Sequence, residues 1–403
     1  MPKAGEAAKL ADVSETPIDV RQSVAAGFAA LRRADPEAAL DAFTRAAATR
    51  QADASVWYGM SLVQRKIGTP AEEGAALERA LELDPRHLPS LIAKGDWHVR
   101  SGDSRAATAF YRAALRLTAG QPNLPAEVRN ELQRIEAACQ RFAREYEAHV
   151  LEAIGRTGLA GAANPRFGHA LDLLLGKREI YLQQPKYFFF PELPQVQFYD
   201  RRQFPWAAAL ERKTAAIRAE LQALLAAGGG IEPYVQRSSD RPVANAHGLM
   251  NNLDWSAAYL IRSGAPEQQN AARCPQTMAA LREVPLCEIE GRTPSVLFSL
   301  LRPGAHIAPH NGYTNVRLIC HLPLIVPGHC TLRVGNETRS WREGELMIFD
   351  DSIEHEASNG SSELRAILLF DVWRPEVTAD ERTLVSALLK SVDAFGPQRQ
   401  WTD

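Results

Sequence analysis

The chain has 403 residues, of which 45% are hydrophobic and 23% charged, and its formal net charge is −2. This length is typical of two or three globular domains, and the near-neutral charge favours neither nucleic acid nor an anionic membrane as a partner. No apolar run approaches the ~20 residues of a membrane span, and the five cysteines show no CxxC pairing. We therefore expect a cytoplasmic protein with reduced thiols.

An alanine-rich repeat follows a polar segment, residues 1–20, which lacks an apolar signal core and is predicted to be a flexible leader. Three similar segments start 34 residues apart: FTRAAATR at Phe43, LERALELDP at Leu77 and YRAALRLT at Tyr111. One small residue recurs in register where two helices must approach closely: Ala46, Ala80 and Ala114. The pattern resembles the tetratricopeptide repeat.

We predict three repeats, at 21–54, 55–88 and 89–122, which stack into a solenoid because one helical hairpin cannot bury its apolar face alone. Gly68 and Gly102 fall at the turn within a repeat, where the first repeat has Ala34. A long closing helix is predicted over Ala126–Gly155, which gives a helical domain over residues 21–155. The solenoid either binds a peptide on its concave side or only stabilises or dimerises the protein.

The middle of the chain alternates linkers and helices. The predicted elements are a Gly/Ala-rich linker at Gly158–Phe167, a helix at His169–Leu182, an extended Pro/aromatic segment at Pro185–Trp206 and a helix at Ala207–Ala227. After them come the amide and aromatic side chains of Asn251, Asn252, Trp255 and Tyr259.

The stretch from Ser299 to Pro375 is β-rich. Short apolar runs alternate with turns, as at Val316–Val326, Cys330–Val334, Glu345–Phe349 and Leu364–Trp373, and this spacing predicts a small antiparallel barrel or jelly roll. A last helix is predicted over Thr378–Phe395. His310 and His355 stand at strand edges, and Arg365 begins a strand. Two imidazoles on a rigid barrel suit a divalent transition metal, and a guanidinium suits a carboxylate ligand.

The same stretch resembles a known family. The matching pieces are PGAHIAPHNGYTNVRL, HLPL, NETRSW, EGELMIFDDSIEHEA and DVWRP. They resemble the aspartyl/asparaginyl β-hydroxylases, Fe(II)/2-oxoglutarate dioxygenases of the double-stranded β-helix fold, over residues ~180 to ~376. The resemblance implies a multidomain α+β protein: an all-α solenoid followed by a double-stranded β-helix oxygenase domain at residues 165–403.

The resemblance also implies the roles of individual residues. His310 and His355 would bind Fe(II), while Arg365, Ser299 and His321 would bind 2-oxoglutarate, with O2 as the second co-substrate. Three further residues would contact the substrate: Arg317, Trp255 and Asn252. A purely structural role is the alternative for four of these residues. Arg317 could form a structural salt bridge, Trp255 and Asn252 could serve only in packing, and Ser299 could hydrogen-bond to the backbone.

Two positions depart from the usual pattern of iron oxygenases. A ligating carboxylate normally stands two residues after the first histidine, but Gly312 occupies that place, as it does in the family. Asp351 is then a candidate to hold the water that replaces the carboxylate, or simply a turn residue. Ile319 stands where the family often has an arginine. Glu354 and Glu356 should point away from His355 into solvent.

The predicted function is hydroxylation, at the β-carbon, of an Asp or Asn residue of a peptide or protein. Two alternatives keep the chemistry but change the substrate to a small amino acid or a lipid acyl chain. A third alternative is a catalytically inactive repeat-scaffold binding protein. No nucleic-acid or membrane partner is predicted, and the sequence does not determine the oligomeric state.

Overall fold

The computed structural model describes residues 19–158, 164–237 and 248–395. The chain divides into two compact units, Met1–Gly168 and His169–Asp403. Most of the predicted leader and the centre of the predicted linker lie outside the described residues. All five cysteines are buried free thiols. Among the described helices, none has both the length and the apolar character needed to cross a bilayer.

The first unit consists of paired helices and a closing helix, and five of the seven begin at a side-chain cap. Its helices are α1 (Val20–Arg32), α2 (Pro36–Ala47), α3 (Ala54–Ile67), α4 (Pro70–Leu83), α5 (Leu88–Arg100), α6 (Ser104–Thr118) and α7 (Ala126–Gly155). Aspartate side chains cap α1, α2, α3 and α6 by accepting from backbone N–H groups, and α4 begins at a capping box between Thr69 and Glu72. The three helix pairs and the closing helix are therefore those predicted from the repeat.

Small residues in register let the paired helices approach. Ala46, Ala80 and Ala114 all have 0% exposure, which confirms the packing role assigned to them. At the turn, Gly102 has φ +78° and Ala34 has φ +60°. Ala34 thus adopts a left-handed conformation that costs a residue with a Cβ about 1–2 kcal/mol, and the imperfect first repeat keeps the same backbone.

The helix predicted at His169–Leu182 is wrong in both its bounds. Helix α8 (Pro165–Leu174) starts inside the predicted linker and ends eight residues early. Gly176 has φ +69°, and the Lys177 N–H donates to the Asp172 carbonyl at 2.9 Å. This geometry is a glycine C-cap that closes the helix, so the chain continues without helix from there.

The described part of the second unit contains twelve strands and five further α-helices. They are β1 (Phe198–Tyr199), α9 (Ala207–Glu211), α10 (Thr214–Ala226), β2 (Glu232–Pro233), β3 (Trp255–Arg262), β4 (Ala265–Pro266), α11 (Gln268–Arg273), α12 (Pro275–Leu281), β5 (Val296–Leu301), β6 (His306–His310), β7 (Arg317–Ile325), β8 (Cys330–Val334), β9 (Glu337–Ser340), β10 (Met347–Phe349), β11 (His355–Asn359), β12 (Arg365–Trp373) and α13 (Ala379–Ala394). The single helix predicted at Ala207–Ala227 is two helices, α9 and α10, while α13 matches its prediction to one residue at each end.

The strands form two antiparallel sheets. The larger sheet runs β1-β10-β7-β12-β5-β3-β2, with β4 paired to β3, and the smaller runs β6-β11-β8-β9. Leu301, Ile319 and Phe349 of the larger sheet share a buried cluster with Leu332 and Val334 of the smaller one. The unit is therefore a two-sheet antiparallel fold of the predicted jelly-roll class.

Alternation along β12 separates an apolar outer face from an inner face that carries both charged and apolar side chains. Ala366, Leu368, Phe370 and Val372 share the outer cluster with Leu221 of α10. The alternate positions, among them Arg365 and Asp371, point between the sheets. The inner face of the larger sheet therefore carries the polar residues that the sequence analysis singled out.

Candidate functional site

The two histidines lie side by side on neighbouring strands of the smaller sheet. His355 of β11 is the register partner of His310 of β6, and their ring centroids are 4.1 Å apart. Residues directly opposite in an antiparallel pair have close Cβ atoms. The fold therefore brings together two imidazoles separated by a long stretch of sequence.

Backbone carbonyls set the tautomer of both rings. His310 Nδ1 lies 2.8 Å from the Ala308 carbonyl oxygen, and His355 Nδ1 lies 3.0 Å from the Ile353 carbonyl oxygen. Because a carbonyl can only accept, each Nδ1 carries the proton and each Nε2 carries the lone pair, which is the form that ligates a metal. Burial, followed by the neighbouring His310, lowers the pKa of His355 well below its usual value, so this ring is neutral.

Gly312 makes room for the carboxylate of Asp351. A Cβ placed on Gly312 would lie 2.0 Å from Asp351 Oδ2, and the Gly312 N–H donates to the Asp351 carbonyl at 2.6 Å. Asp351 thus occupies the space that a side chain at position 312 would fill. Within the described part of the chain, no group of three or more His, Cys, Asp and Glu side chains is arranged to hold a metal. A metal at the histidine pair would therefore have two protein ligands, as the resemblance implies.

A buried cation without a carboxylate partner lies on the larger sheet. Arg365 is 1% exposed, and one of its terminal nitrogens lies 3.3 Å from the Ser299 carbonyl oxygen and 3.4 Å from Ser299 Oγ. Across the described residues, no Asp or Glu comes within ion-pairing distance of Arg365. Burial lowers the pKa of Arg365 to about 10, so the guanidinium is still charged at neutral pH.

Three buried polar atoms around this cation have no hydrogen-bond partner among the described residues. They are Arg365 Nε, His321 Nδ1 and Trp341 Nε1. Burial, followed by the charge of Arg365, lowers the pKa of His321 well below its usual value. An unpaired buried polar group costs about 1–3 kcal/mol. One such atom on an uncompensated cation and two beside it fit a pocket for an anionic ligand, and a carboxylate is of the right chemistry.

Arg317 bridges two buried carboxylates. One of its terminal nitrogens lies 2.9 Å from Asp371 Oδ2 and the other 3.4 Å from Asp351 Oδ2. The structural salt bridge considered from the sequence is thus present, and a substrate carboxylate would have to compete with it. A cavity of about 110 Å³ adjoins this pair, and Ile319 and Leu369 form part of its wall. Ile319, which stands where the family often has an arginine, therefore adds an apolar side chain to the wall of this cavity.

Trp255 and Asn252, the two other predicted substrate contacts, have different surroundings. Trp255 donates from Nε1 to Ser299 Oγ at 3.2 Å, and its ring lies 6.3 Å from that of His310. Asn252 bonds within its own turn, donating to the Gly248 carbonyl at 3.2 Å and accepting from the Asp254 N–H at 2.9 Å. The structure thus brings Trp255 to the histidines, whereas the hydrogen bonds of Asn252 to described residues all go to its sequence neighbours.

The expectation that Glu354 and Glu356 are merely solvated is wrong. Arg333 on β8 donates to Glu354 at 2.9 Å and also pairs with Glu356, which in turn contacts His306. Both carboxylates do lie on the side of β11 opposite His355. They are ion-paired there because Arg333 lies on the neighbouring strand β8, and the pairing of β8 with β11 cannot be predicted from local sequence.

Sequence reasoning missed one residue of the site, Trp341. It follows β9 directly, and it lies in the core between the sheets. The Arg365 guanidinium carbon lies 5.0 Å from the centroid of its ring, and the His321 ring lies 6.0 Å away. The only signal was its place at the end of the NETRSW motif.

Comparison with known proteins agrees with this geometry. Residues 211–375 match the family model described as Aspartyl/Asparaginyl beta-hydroxylase. Over these residues the chain is similar to the aspartyl/asparaginyl β-hydroxylases. The match contains both histidines, Arg365 and Trp341, and it lies wholly within the second unit.

Curated relatives of the family domain have several functions. An ornithine lipid ester-linked acyl 2-hydroxylase of Rhizobium tropici is 34% identical over 46% of this chain and 63% of its own length. The aspartyl/asparaginyl beta-hydroxylase of Mus musculus is 40% identical over 35% of this chain and 19% of its own. The aspartate beta-hydroxylase domain-containing protein 2 of Xenopus tropicalis is 32% identical over 51% and 55%. The chain thus spans less than two thirds of the length of each.

The helical unit has its own structural neighbours. The match to the TPR2B domain of yeast Sti1 covers 30% of this chain and 97% of the Sti1 domain, with 20% sequence identity and a TM-score of 0.27. That score is too low to support any statement on function. The repeat organisation of the first unit rests on its own helix pairs and on the buried alanines in register.

Proposed function

We propose that the second unit is an Fe(II)- and 2-oxoglutarate-dependent hydroxylase. One observation carries the proposal: two imidazoles that present Nε2 lone pairs and a buried guanidinium without a carboxylate partner both lie against the core between the sheets. The His355 ring lies 5.5 Å from that of Phe349, the Arg365 guanidinium carbon lies 5.0 Å from the Trp341 ring, and both aromatic residues belong to that core. The match to a hydroxylase family model supports an enzyme, and the donor set supports a metal with a carboxylate co-substrate.

Each side chain then has a role. His310 and His355 would hold Fe(II), which, with 2-oxoglutarate and O2, supplies the oxidation that inserts one oxygen atom into a substrate C–H bond. Arg365 would pair with the far carboxylate of 2-oxoglutarate, and the Ser299 hydroxyl and neutral His321 would orient it. Asp351, held beside Gly312, would orient a water in the coordination position that a carboxylate at residue 312 would otherwise fill. The surrounding apolar core would keep bulk water out.

The first candidate substrate is an Asp or Asn residue of a polypeptide. The matched family and the mouse relative support it, and the repeat unit is proposed as a surface that binds the polypeptide. The second candidate is a lipid acyl chain. The relative from Rhizobium tropici supports it, as do the apolar Ile319 and Leu369 on the cavity wall and the ion pair that already engages Arg317.

Iron binding and co-substrate turnover test the proposal. We expect the full chain to bind one Fe(II) under anaerobic conditions and to convert 2-oxoglutarate to succinate in air. His310→Ala and His355→Ala should each abolish iron binding, whereas His149→Ala, at an exposed position of α7, should leave it unchanged. Unaltered iron stoichiometry in both site variants would remove the histidines from the metal site. Absence of both iron binding and succinate formation in the wild-type protein would favour the inactive scaffold.

The two substrates are separated by product analysis. The iron-loaded protein is incubated in parallel with a peptide digest and with a total lipid extract. Mass spectrometry then identifies the molecules that gain one oxygen atom. Oxygenated Asp or Asn residues would support the first candidate, and oxygenated acyl chains would support the second.

A further inference from the structure

The indole N–H of Trp341 is a buried donor that nothing in the described protein accepts. Trp341 is 4% exposed and lies between the two sheets with Leu332 and Phe349. Its Nε1 has no hydrogen-bond partner. Buried tryptophans usually direct this N–H at an acceptor, because an unpaired one loses the hydrogen bond it had with water.

Two polar side chains lie close to this indole. The Arg365 guanidinium carbon lies 5.0 Å from the Trp341 ring centroid, within the range of a cation–π contact. The neutral His321 ring lies 6.0 Å away. Arg365 Nε and His321 Nδ1 also lack partners in the described chain. Three polar atoms from β12, β7 and the residue after β9 thus converge without a protein acceptor between them.

One carboxylate can satisfy this arrangement. Its two oxygens offer about four acceptor positions, which is enough for donors from both Arg365 and an indole. The Ser299 hydroxyl completes the set, since its oxygen already lies 3.2 Å from Trp255 Nε1 and 3.4 Å from Arg365. No other cation is needed at this end of the pocket, which is consistent with the apolar side chain of Ile319.

We infer that Trp341 is a co-substrate-binding residue, whose indole N–H donates a hydrogen bond to the same carboxylate that Arg365 pairs with. Its ring also holds the guanidinium in place by the cation–π contact. The inference rests on the proposed function, because it names a further residue for the far carboxylate of 2-oxoglutarate. It therefore predicts discrimination between ligands that have that carboxylate and ligands that lack it.

The test compares two ligands and two tryptophans. Dissociation constants are measured by calorimetry on the Mn(II)-loaded full chain without O2, for 2-oxoglutarate and for 2-oxobutanoate, which has the same oxo-acid end but no far carboxylate. Trp341→Phe removes the N–H and keeps an aromatic ring. Trp206→Phe is the matched control, since that indole packs against Phe370 on the outer face of the sheet.

We expect Trp341→Phe to weaken 2-oxoglutarate binding by about 10- to 100-fold, the range for a hydrogen bond to a charged group, and to leave 2-oxobutanoate binding within about twofold. Trp206→Phe should change neither. Equal binding of 2-oxoglutarate by Trp341→Phe and wild type would overturn the inference, and so would an equal loss for both ligands, which would indicate a packing role.

A second measurement uses the wild-type protein and does not depend on the folding of a variant. With Zn(II) bound and the indole nitrogens labelled with 15N, 2-oxoglutarate should shift one indole N–H resonance of the seven tryptophans downfield, and 2-oxobutanoate should not. The same response to both ligands would contradict the inference. Wild-type protein that binds no 2-oxoglutarate would overturn the proposed function itself, whereas normal wild-type binding with an unaffected Trp341→Phe variant would overturn only the role of Trp341.

Discussion

The two ends of strand β12 each bury an arginine, and the two arginines have opposite environments. Arg365 begins the strand and Arg374 directly follows it, with 1% and 0% exposure. Arg374 donates to Asp350 at 2.8 Å, to Tyr199 Oη at 2.7 Å and to the Asn315 carbonyl at 3.2 Å. Arg365 has only Ser299 as a polar partner in the described chain.

This contrast separates structure from function at equal burial. A buried cation costs several kcal/mol unless a counter-charge and hydrogen bonds compensate it. At Arg374 the protein supplies the compensation itself, and the residue ties the segment before β1 to the loop that precedes His355. At Arg365 the described protein supplies no counter-charge, and under the proposed function the co-substrate carboxylate would provide it. Burial alone therefore does not distinguish a structural arginine from a candidate ligand-binding arginine. The number of protein partners that compensate the charge does distinguish them.

The largest expected effect on stability is at the compensated end. Arg374→Met would leave the fully buried Asp350 carboxylate without its cation, which should cost about 3–5 kcal/mol. Calorimetry of the full chain should show a lower melting temperature for the barrel unit. Arg342→Met, at an exposed position just after Trp341, is the control and should melt with the wild type. A barrel transition unchanged by Arg374→Met would break the comparison.

The next largest effect is expected at Arg365, and it concerns the affinity for 2-oxoglutarate. Arg365→Met should weaken 2-oxoglutarate binding by about 30- to 150-fold, or about 2–3 kcal/mol, through loss of a charge-assisted pair. The ligand-free variant should melt at the wild-type temperature or above it, because an unpaired buried charge is removed. The Michaelis constant for 2-oxoglutarate and the melting temperature check the two parts. A change in affinity below about threefold would mean that another cation binds the co-substrate.

A smaller effect tests the packing of Asp351 beside the histidines. Gly312→Ala places a methyl group where Asp351 Oδ2 now lies, so the carboxylate must move at a cost of about 1–3 kcal/mol. The same substitution made in an Asp351→Ala background should cost clearly less, because the clash is gone. Thermal unfolding of the four proteins measures the difference. Equal costs in both backgrounds would show that Asp351 does not need the space at Gly312.

The smallest effect concerns the repeat unit, whose buried polar groups resemble Arg374 in having partners. The Tyr111 hydroxyl donates to Asp96, and burial together with Asp96 raises the pKa of Tyr111 to about 12. The unfolded chain loses this proton near pH ~10. The contribution of Tyr111 to folding stability should therefore be constant below pH ~10 and fall between pH ~10 and ~12.

Tyr111→Phe should lower the stability of the repeat unit slightly at neutral pH, because the hydrogen bond is lost, and should reduce its alkaline decline. The melting temperature of that unit, measured between pH ~8 and ~11.5 in both proteins, checks this expectation. A parallel decline in the two proteins would assign the alkaline sensitivity to another group.

The sequence by itself determined the features that depend on local spacing. The 34-residue repeat predicted the helix pairs and their buried alanines, since helical period and small-residue register are properties of neighbouring residues. The closing helix Ala126–Gly155 and the strand Cys330–Val334 were predicted to the residue. The family motifs identified His310, His355 and Arg365 before any geometry was known.

Only the tertiary structure decided what those residues contact. The carbonyls that set both histidine tautomers, the salt bridge of Arg317 to a residue 54 positions away and the pairing of Arg333 with two glutamates all depend on which strands become neighbours. Trp341 joined the site for the same reason, because β9 delivers it to the inner face of another sheet. Hydrogen bonds and ion pairs between elements distant in sequence arise from strand register, which no local pattern encodes.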